Sequence, residues 1–170
     1  MRTSKKGHAM AKTEAAEKLV RLLTERKMTC ATAESCTGGG AGYAITAVPG
    51  ASCVFMGGVI SYDNSAKRNI LGVPEETLSE HGAVSSECAE AMAEGARRIL
   101  KADLAVSITG IAGPGGGSTE KPVGLVWFGL SSESGVKSSK RIFSGDRDAV
   151  RTAAIEYAIE LLASAVHGRF

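Results

Sequence analysis

Hydrophobic positions along the chain recur with two different periods, and each period predicts a different kind of element. Apolar residues return every three or four positions, with charged residues between them, in three segments: residues 9–26, 86–101 and 147–167. This period predicts amphipathic helices. Continuous apolar runs occupy four other segments: residues 28–33, 55–62, 104–108 and 123–131. Such runs are typical of strands buried inside a sheet.

The order of these elements predicts an α/β domain. Weaker helical patterns lie at residues 41–47 and 65–71, and Pro74 begins another short helix. A fifth strand at residues 136–144 follows the fourth after a short turn, which implies an antiparallel hairpin. Since strands that alternate with helices favour parallel pairing, we expect one mostly parallel sheet with an antiparallel hairpin at its edge.

A serine stands where the first predicted strand turns into a helix. The segment Thr-Ala-Glu-Ser-Cys-Thr-Gly-Gly-Gly at residues 32–40 places Ser35 at the bend. A sharp bend lifts the hydroxyl out of the sheet and leaves unpaired backbone N–H groups around residues 37–39, where an oxyanion can bind. A tight turn of small residues is the alternative interpretation. Cys36 is a rival nucleophile, although a buried, inert thiol is its expected role.

Two further strands are expected to end beside Ser35. The third strand runs into a second glycine-rich loop that begins at Thr109, and Tyr62 ends the second strand. Ligand sites in sheets of this kind lie beyond the carboxyl ends of the strands. We therefore expect Ser35, Thr109 and Tyr62 to lie at one edge of the sheet.

The shortage of histidines favours a lysine as the general base. The chain has 3 histidines, and no loop with an aspartate is evident as a partner for His81. A Ser-His-Asp triad is therefore disfavoured. Lys67 follows Tyr62 in a short predicted helix, and one helical turn can bring its amine back toward Ser35. A lysine base must be neutral, which burial favours. Tyr62 can donate to this lysine or relay its proton, and an exposed surface charge is the alternative role for Lys67.

Composition and charge disfavour several other functions. The chain of 170 residues is 44% hydrophobic and 22% charged, which suits one folded domain. A formal net charge of +2 and an aromatic content of 5% argue against nucleic acid as a partner. The longest apolar runs are far shorter than a membrane span of about 20 residues. Neither glycine loop contains a nucleotide-binding motif, and the few histidines argue against a metal site, so we expect no cofactor.

The termini and the cysteines bear on localisation. Residues 1–8 are basic but have no apolar segment behind them, so we expect a disordered leader rather than a signal peptide. A single domain is then expected over residues 9–170. The 4 cysteines form no CxxC pair, which is typical of reduced thiols in a cytoplasmic protein.

Six segments match a pattern known from one protein family. They are Thr-Ala-Glu-Ser-Cys-Thr-Gly-Gly (32–39), Tyr-Asp-Asn-Ser-Ala-Lys-Arg-Asn-Ile-Leu-Gly-Val (62–73), His-Gly-Ala-Val-Ser (81–85), Ser-Ile-Thr-Gly-Ile-Ala-Gly-Pro (107–114), Lys-Pro-Val-Gly (121–124) and Gly-Asp-Arg-Asp-Ala-Val-Arg (145–151). Together they resemble the C-terminal domain of the competence/damage-inducible protein CinA. Standalone members of this family are nicotinamide mononucleotide (NMN) amidohydrolases.

The resemblance implies a fold, a reaction and a set of site residues. It implies a three-layer α/β/α sandwich that hydrolyses the carboxamide of NMN to nicotinate mononucleotide and ammonia in pyridine nucleotide salvage. By motif match, Ser35 is the nucleophile and Lys67 the base, with Tyr62 and Thr109 assisting. The expected substrate-binding residues are Thr37, Gly38, Gly39, Gly113, Arg147 and Arg151. One of the two arginines is expected to hold the phosphate.

The same resemblance bears on partners and on rival functions. A small-molecule nucleotide is the expected partner, and a homodimer is the expected assembly. Activities of the larger N-terminal domain of full-length CinA proteins are not expected of this chain. A non-catalytic binding module linked to competence or DNA damage is the alternative function, and hydrolysis of a different amide is a third.

Overall fold

Five strands and six helices make up residues 13–168, the part of the chain that this computed structural model describes. The strands are β1 Cys30–Glu34, β2 Phe55–Ile60, β3 Leu104–Gly110, β4 Leu125–Ser132 and β5 Gly135–Ile142. The helices are α1 Glu14–Arg26, α2 Gly40–Thr46, α3 Asn64–Asn69, α4 Glu75–Glu80, α5 Ser86–Leu100 and α6 Arg147–Ala165. A 3-10 turn covers Ala51–Cys53.

The strands form one mixed sheet in the order β2-β1-β3-β4-β5. Strand β1 runs parallel to both of its neighbours, with Glu34 beside Ile60 of β2 and Ile108 of β3. Strand β4 runs antiparallel to β3 and to β5. The predicted sheet, mostly parallel with an antiparallel hairpin at its edge, is confirmed.

The prediction of a buried second strand at residues 55–62 is wrong about the burial. Strand β2 lies at the free edge of the sheet and pairs only with β1, so Met56 and Ile60 are 48% and 57% exposed. An apolar run indicates a strand, but the number of neighbouring strands follows from the topology of the whole sheet.

Helices cover both faces of the sheet and complete the three-layer α/β/α sandwich that the resemblance implies. On one face, α1, α2 and α6 pack against the sheet around Leu19, Leu23, Ile45, Ile108, Phe128, Ile159 and Leu162. On the other face, α5 and the segment after α3 pack around Ala31, Ala33, Leu71, Val73, Met92 and Ala105. Complete burial of one large aliphatic side chain contributes about 1.5–3 kcal/mol.

Side-chain caps determine where four of the helices begin. Thr13, Asp63, Ser85 and Asp146 each accept a hydrogen bond from a backbone N–H in the first turn of α1, α3, α5 and α6. Helix α6 ends two residues before its predicted end. The leader predicted at residues 1–8 and the start of the helix predicted over residues 9–26 lie outside the described residues.

The helices described over residues 13–168 include none that is long and apolar enough to cross a membrane. The longest, α6, has 19 residues, and charged side chains recur along it.

Candidate active site

A cavity of about 210 Å³ opens where β1, β2 and β3 end, on the side of the sheet that the glycine loops share. Its lining consists of Ser35, Cys36, Tyr62, Asn64, Lys67, Ala83, Val84, Thr109, Gly110, Ala112 and Arg147. The structure therefore brings together all four residues that the sequence suggests for catalysis. Larger clefts of about 310, 450 and 480 Å³ lie elsewhere among the described residues, and none of these three contains a comparable pairing of a hydroxyl with a buried amine.

Helix α3 brings Lys67 back under the end of β2. Asp63 caps the helix by accepting a hydrogen bond from the Ser65 N–H, and one turn later the Lys67 side chain is only 1% exposed. Its Nζ lies 3.1 Å from Ser35 Oγ. The same amine donates to the carbonyl oxygen of Ser61 at 2.7 Å and to that of Tyr62 at 3.1 Å.

These contacts suit a neutral amine that accepts the serine proton. A neutral amine has two N–H donors and one lone pair, and two carbonyl oxygens, which can only accept, lie within reach of those donors. The lone pair is then left for the hydroxyl of Ser35. Burial of Lys67 lowers the pKa of its amine from the ordinary value of 10.5, and the carboxylate of Asp63 opposes this shift only in part.

The Tyr62 phenol lies away from the lysine, contrary to the expectation that it donates to Lys67. Its ring is 63% exposed, and its hydroxyl lies 3.4 Å from Nη2 of Arg147. Lys67 meets the backbone of Tyr62 instead, because the lysine returns beneath the end of the strand. Direct proton transfer between the phenol and Lys67 is incompatible with this arrangement.

Thr109 secures one wall of the cavity. Its side chain is 1% exposed, and its hydroxyl donates a 2.7 Å hydrogen bond to the carbonyl oxygen of Ala83. This bond ties the segment before α5 to the end of β3. The contact holds Ala83 and Val84 in the wall of the cavity that Ser35 also lines.

The glycine turn is arranged differently from the prediction. The N–H of Gly38 donates to the Ser35 carbonyl at 3.1 Å, and the N–H of Gly39 donates to the Glu34 carboxylate at 3.1 Å. Two of the three backbone donors expected around residues 37–39 are therefore occupied. Within residues 13–168, the Thr37 N–H has no acceptor, and the Cys36 N–H donates to no other residue and contacts only its own sulfur. The free donors lie one residue closer to the serine than expected.

Glu34 is a site residue that the sequence reasoning missed. Its side chain is 1% exposed, and its carboxylate accepts from the Thr37 hydroxyl at 2.7 Å. It also accepts from backbone N–H groups of Gly39, Ala41 and Gly42 at 3.1, 3.0 and 2.9 Å. A carboxylate at the end of a buried strand, just before a helix N-terminus, was the available signal.

The two candidate arginines lie one turn apart on α6 and have different surroundings. Arg147 lines the cavity and donates to the carbonyl oxygen of Gly113 at 2.8 Å. Arg151 does not line the cavity; it donates to the carbonyl oxygens of Cys36 and Thr37 at 3.2 and 3.3 Å. Only Arg147 is therefore placed to meet a ligand in the cavity.

The thiol of Cys36 is a poor competitor for the serine. The side chain is 7% exposed, and burial raises the pKa of the thiol to about 11. Because the thiolate is the nucleophilic form, the Cys36 thiol is inert at neutral pH.

The chain is a small α/β/α domain in which a serine contacts a buried lysine at the ends of the strands. This combination is typical of the class of hydrolases that use a serine nucleophile. Comparison with known proteins is more specific. The protein-family model of the CinA C-terminal domain matches residues 12–166. The chain belongs to the CinA C-terminal domain family, as its sequence motifs indicate.

Relatives of two kinds share this domain. The nicotinamide-nucleotide amidohydrolase PncC of Escherichia coli K12 is 50% identical over 147 residues, which are 86% of this chain and 89% of that protein. A CinA-like protein of Thermotoga maritima is 49% identical over 153 residues, but these residues are only 37% of that protein. The chain thus spans little more than a third of its longer CinA-like relatives.

Solved structures of the family have the same fold. A CinA superfamily protein from Klebsiella pneumoniae 700603 superposes with a TM-score of 0.89 at 35% identity, covering 93% of this chain and 99% of that one. The competence/damage-inducible protein CihA of Agrobacterium tumefaciens gives a TM-score of 0.84 at 42% identity, covering 91% of this chain and 97% of that one.

Proposed function

We propose that this protein hydrolyses the carboxamide of NMN to nicotinate mononucleotide and ammonia, with Ser35 as nucleophile and Lys67 as base. The observation that carries the proposal is the buried Lys67 amine, 3.1 Å from the Ser35 hydroxyl. The nicotinamide-nucleotide amidohydrolase of E. coli, which is 50% identical to this chain, supports the choice of reaction and substrate.

The first half of the reaction forms an acyl-enzyme. Lys67 takes the hydroxyl proton while Ser35 Oγ bonds to the carboxamide carbon, and the amide oxygen becomes an oxyanion. The N–H groups of Cys36 and Thr37, which donate to no other residue, are the donors that stabilise it. Loss of one such donor typically costs about 3 kcal/mol in the transition state.

The second half releases both products. The protonated Lys67 returns its proton to the departing nitrogen as the carbon–nitrogen bond breaks, and ammonia leaves. Water then attacks the ester carbon, gives a proton to Lys67 and releases nicotinate mononucleotide. The proton on Lys67 returns to Ser35, so the enzyme ends as it began.

The phosphate of the nucleotide is assigned to Arg147. Its guanidinium lines the cavity beside the exposed Tyr62 ring, and its helix α6 begins at this residue. Guanidinium groups bind phosphate through parallel hydrogen bonds, and backbone N–H groups at a helix start favour anions. The Tyr62 ring is then available to contact the nicotinamide or the ribose.

Ammonia release from NMN by the purified protein tests this proposal. Ser35→Ala and Lys67→Met should each lower kcat by at least roughly 1,000-fold, because nucleophile and base act as one unit. Cys36→Ala should retain activity, since its thiol is buried and protonated. Lys140→Met is a matched control that removes a lysine of β5, which lies over the ring of Trp127 on β4.

Two outcomes would contradict the mechanism. The first is full activity in Ser35→Ala, and the second is complete loss of activity in a folded Cys36→Ala. If the wild-type protein is thermally stabilised by NMN but releases no ammonia, the alternative function as a binding module is favoured. Turnover of other amides but not of NMN would assign a different substrate.

A further inference from the structure

The turn after Ser35 is held from two sides by charged residues that do not line the cavity. Glu34, the residue before the serine, accepts four hydrogen bonds from the turn and the start of α2. Arg151 approaches from α6 and donates to two backbone carbonyl oxygens of the turn. The carboxylate thus binds donors of the turn, and the guanidinium binds acceptors.

These contacts fix the direction in which each backbone N–H group of the turn points. In a trans peptide the N–H points opposite to the C=O. The Arg151 bond to the Cys36 carbonyl therefore turns the Thr37 N–H away from α6, since both groups belong to one peptide. The Gly38 bond to the Ser35 carbonyl fixes the Cys36 N–H in the same manner. The Gly38 N–H is taken by the Ser35 carbonyl and the Gly39 N–H by Glu34, so the N–H groups of Cys36 and Thr37 are the ones in the turn that donate to no other residue.

The backbone at the turn needs such restraint. Gly38 and Gly39 both have positive φ angles, +61° and +95°, a conformation that glycine also leaves easily. A flexible turn would let the peptides rotate and would disperse their donors. Oxyanion stabilisation depends on donors that are oriented before the reaction begins.

We propose that Glu34 and Arg151 are positioning residues that hold the N–H groups of Cys36 and Thr37 ready for the oxyanion. This inference rests on the proposed function, because it assumes that Ser35 attacks a carbonyl carbon. It replaces the expectation that Arg151 binds the substrate phosphate. Neither side chain touches the reacting atoms, and each acts through the backbone of the turn.

Glu34→Gln and Arg151→Lys test the inference with little change in shape. The side-chain amide of the Glu34→Gln variant places an NH₂ group where the carboxylate accepts, so at least one of the four hydrogen bonds is lost. A lysine in place of Arg151 keeps the charge but cannot make the two bonds of the planar guanidinium. Each variant should lower kcat for NMN by roughly 10- to 100-fold, with KM and the pH dependence of the rate little changed. Glu34→Asp should restore part of the loss.

Matched controls separate a local effect from a general one. Glu90→Gln removes a carboxylate that accepts from Ser138 on β5, and Arg97→Lys changes an arginine that donates to Ser131 on β4. Both should retain wild-type kcat. Thermal unfolding confirms that each variant is folded, and if Glu34→Gln does not fold, Arg151→Lys decides the question.

Nicotinamide riboside, which lacks the phosphate of NMN, separates positioning from phosphate binding. A positioning role predicts that Arg151→Lys lowers kcat for the riboside as much as for NMN. Arg147→Lys should raise KM for NMN and have little effect on the riboside. If the Arg151→Lys defect lies in KM and disappears with the riboside, or if folded Glu34→Gln and Arg151→Lys both keep wild-type kcat, the inference is overturned.

A covalent probe decides the case in which the protein does not hydrolyse NMN. When a fluorophosphonate reacts, the Ser35 Oγ–P bond forms, the P–F bond breaks, fluoride leaves and Lys67 takes the hydroxyl proton. The phosphoryl oxygen gains negative charge in the transition state, as an amide oxygen does. Intact-mass spectrometry should show slower labelling in Glu34→Gln and Arg151→Lys than in the controls. Equal labelling rates would overturn the inference without reference to NMN.

Discussion

At the scale of single residues, the proposed chemistry depends on the protonation of Lys67. A side chain that is 1% exposed would ordinarily be apolar, and no carboxylate forms an ion pair with this amine among the described residues. Desolvation disfavours the ammonium form, while the carbonyl oxygens of Ser61 and Tyr62 keep the amine hydrogen-bonded. The environment that is unfavourable for a charged lysine is therefore favourable for a base.

The pH dependence of activity should report this lysine. Because the proposed mechanism uses the neutral amine and burial lowers its pKa below 10.5, kcat/KM should rise with pH and then level off at or above that lowered pKa. The rise should be tenfold per pH unit, as for loss of one proton. Initial rates of ammonia release across the pH range measure this limb. A rate that is flat or falls with rising pH across the whole acidic range would exclude Lys67 as the base.

At the scale of elements, one close approach lets α5 pack directly against the segment that follows α3 and its Lys67. An added Cβ at Gly95 of α5 would lie 2.1 Å from the carbonyl oxygen of Leu71, just beyond α3. Only a residue without a side chain lets α5 approach this segment so closely. The helical period predicted α5 from the sequence. No local pattern, however, shows that Gly95 is needed for a close approach between segments rather than being a glycine that merely weakens the helix.

Gly95→Ala should therefore destabilise the protein, although alanine is the better helix former by about 1 kcal/mol. We expect a loss of roughly 1–3 kcal/mol in the free energy of unfolding, as for overpacking elsewhere. Gly42→Ala in α2 is the matched control. Its added Cβ would lie 3.4 Å from the Phe55 ring, an ordinary contact. Denaturant titration measures both, and equal stabilities would contradict the prediction.

At the scale of the whole molecule, the sheet order brings distant segments to one edge. Strand β1 lies between β2 and β3 in parallel, so the ends that carry Ser35, Tyr62 and Thr109 are neighbours. Helix α6 then brings Arg147 and Arg151 to the same edge from the end of the chain. This convergence buries the amine of Lys67, and the desolvation of that amine lowers the free energy of unfolding of the whole domain.

Lys67→Met should keep or raise the free energy of unfolding at neutral pH, because methionine fills a similar volume without a charge to desolvate. The sign of the pH effect follows from the lowered pKa. Between the folded pKa and the unfolded value of 10.5, the unfolded wild-type chain binds more protons than the folded one. Wild-type stability should thus rise with pH in this window relative to the variant. Denaturant titrations at pH 7 and pH 10 measure this, and a variant less stable than wild type at pH 7 would contradict it.

The sequence by itself determined the elements, the fold class and the family, because the period of apolar residues and the order of glycine-rich turns are local properties of the chain. It also indicated Ser35 and Lys67, because Ser35 stands at a strand-to-helix bend and Lys67 lies in a short helix just after the neighbouring strand. The tertiary structure decided which strand lies at the edge, where the Tyr62 phenol points, which arginine lines the cavity and which N–H groups of the turn are already paired. These features depend on hydrogen bonds and packing between segments far apart in the chain, and no local pattern specifies them.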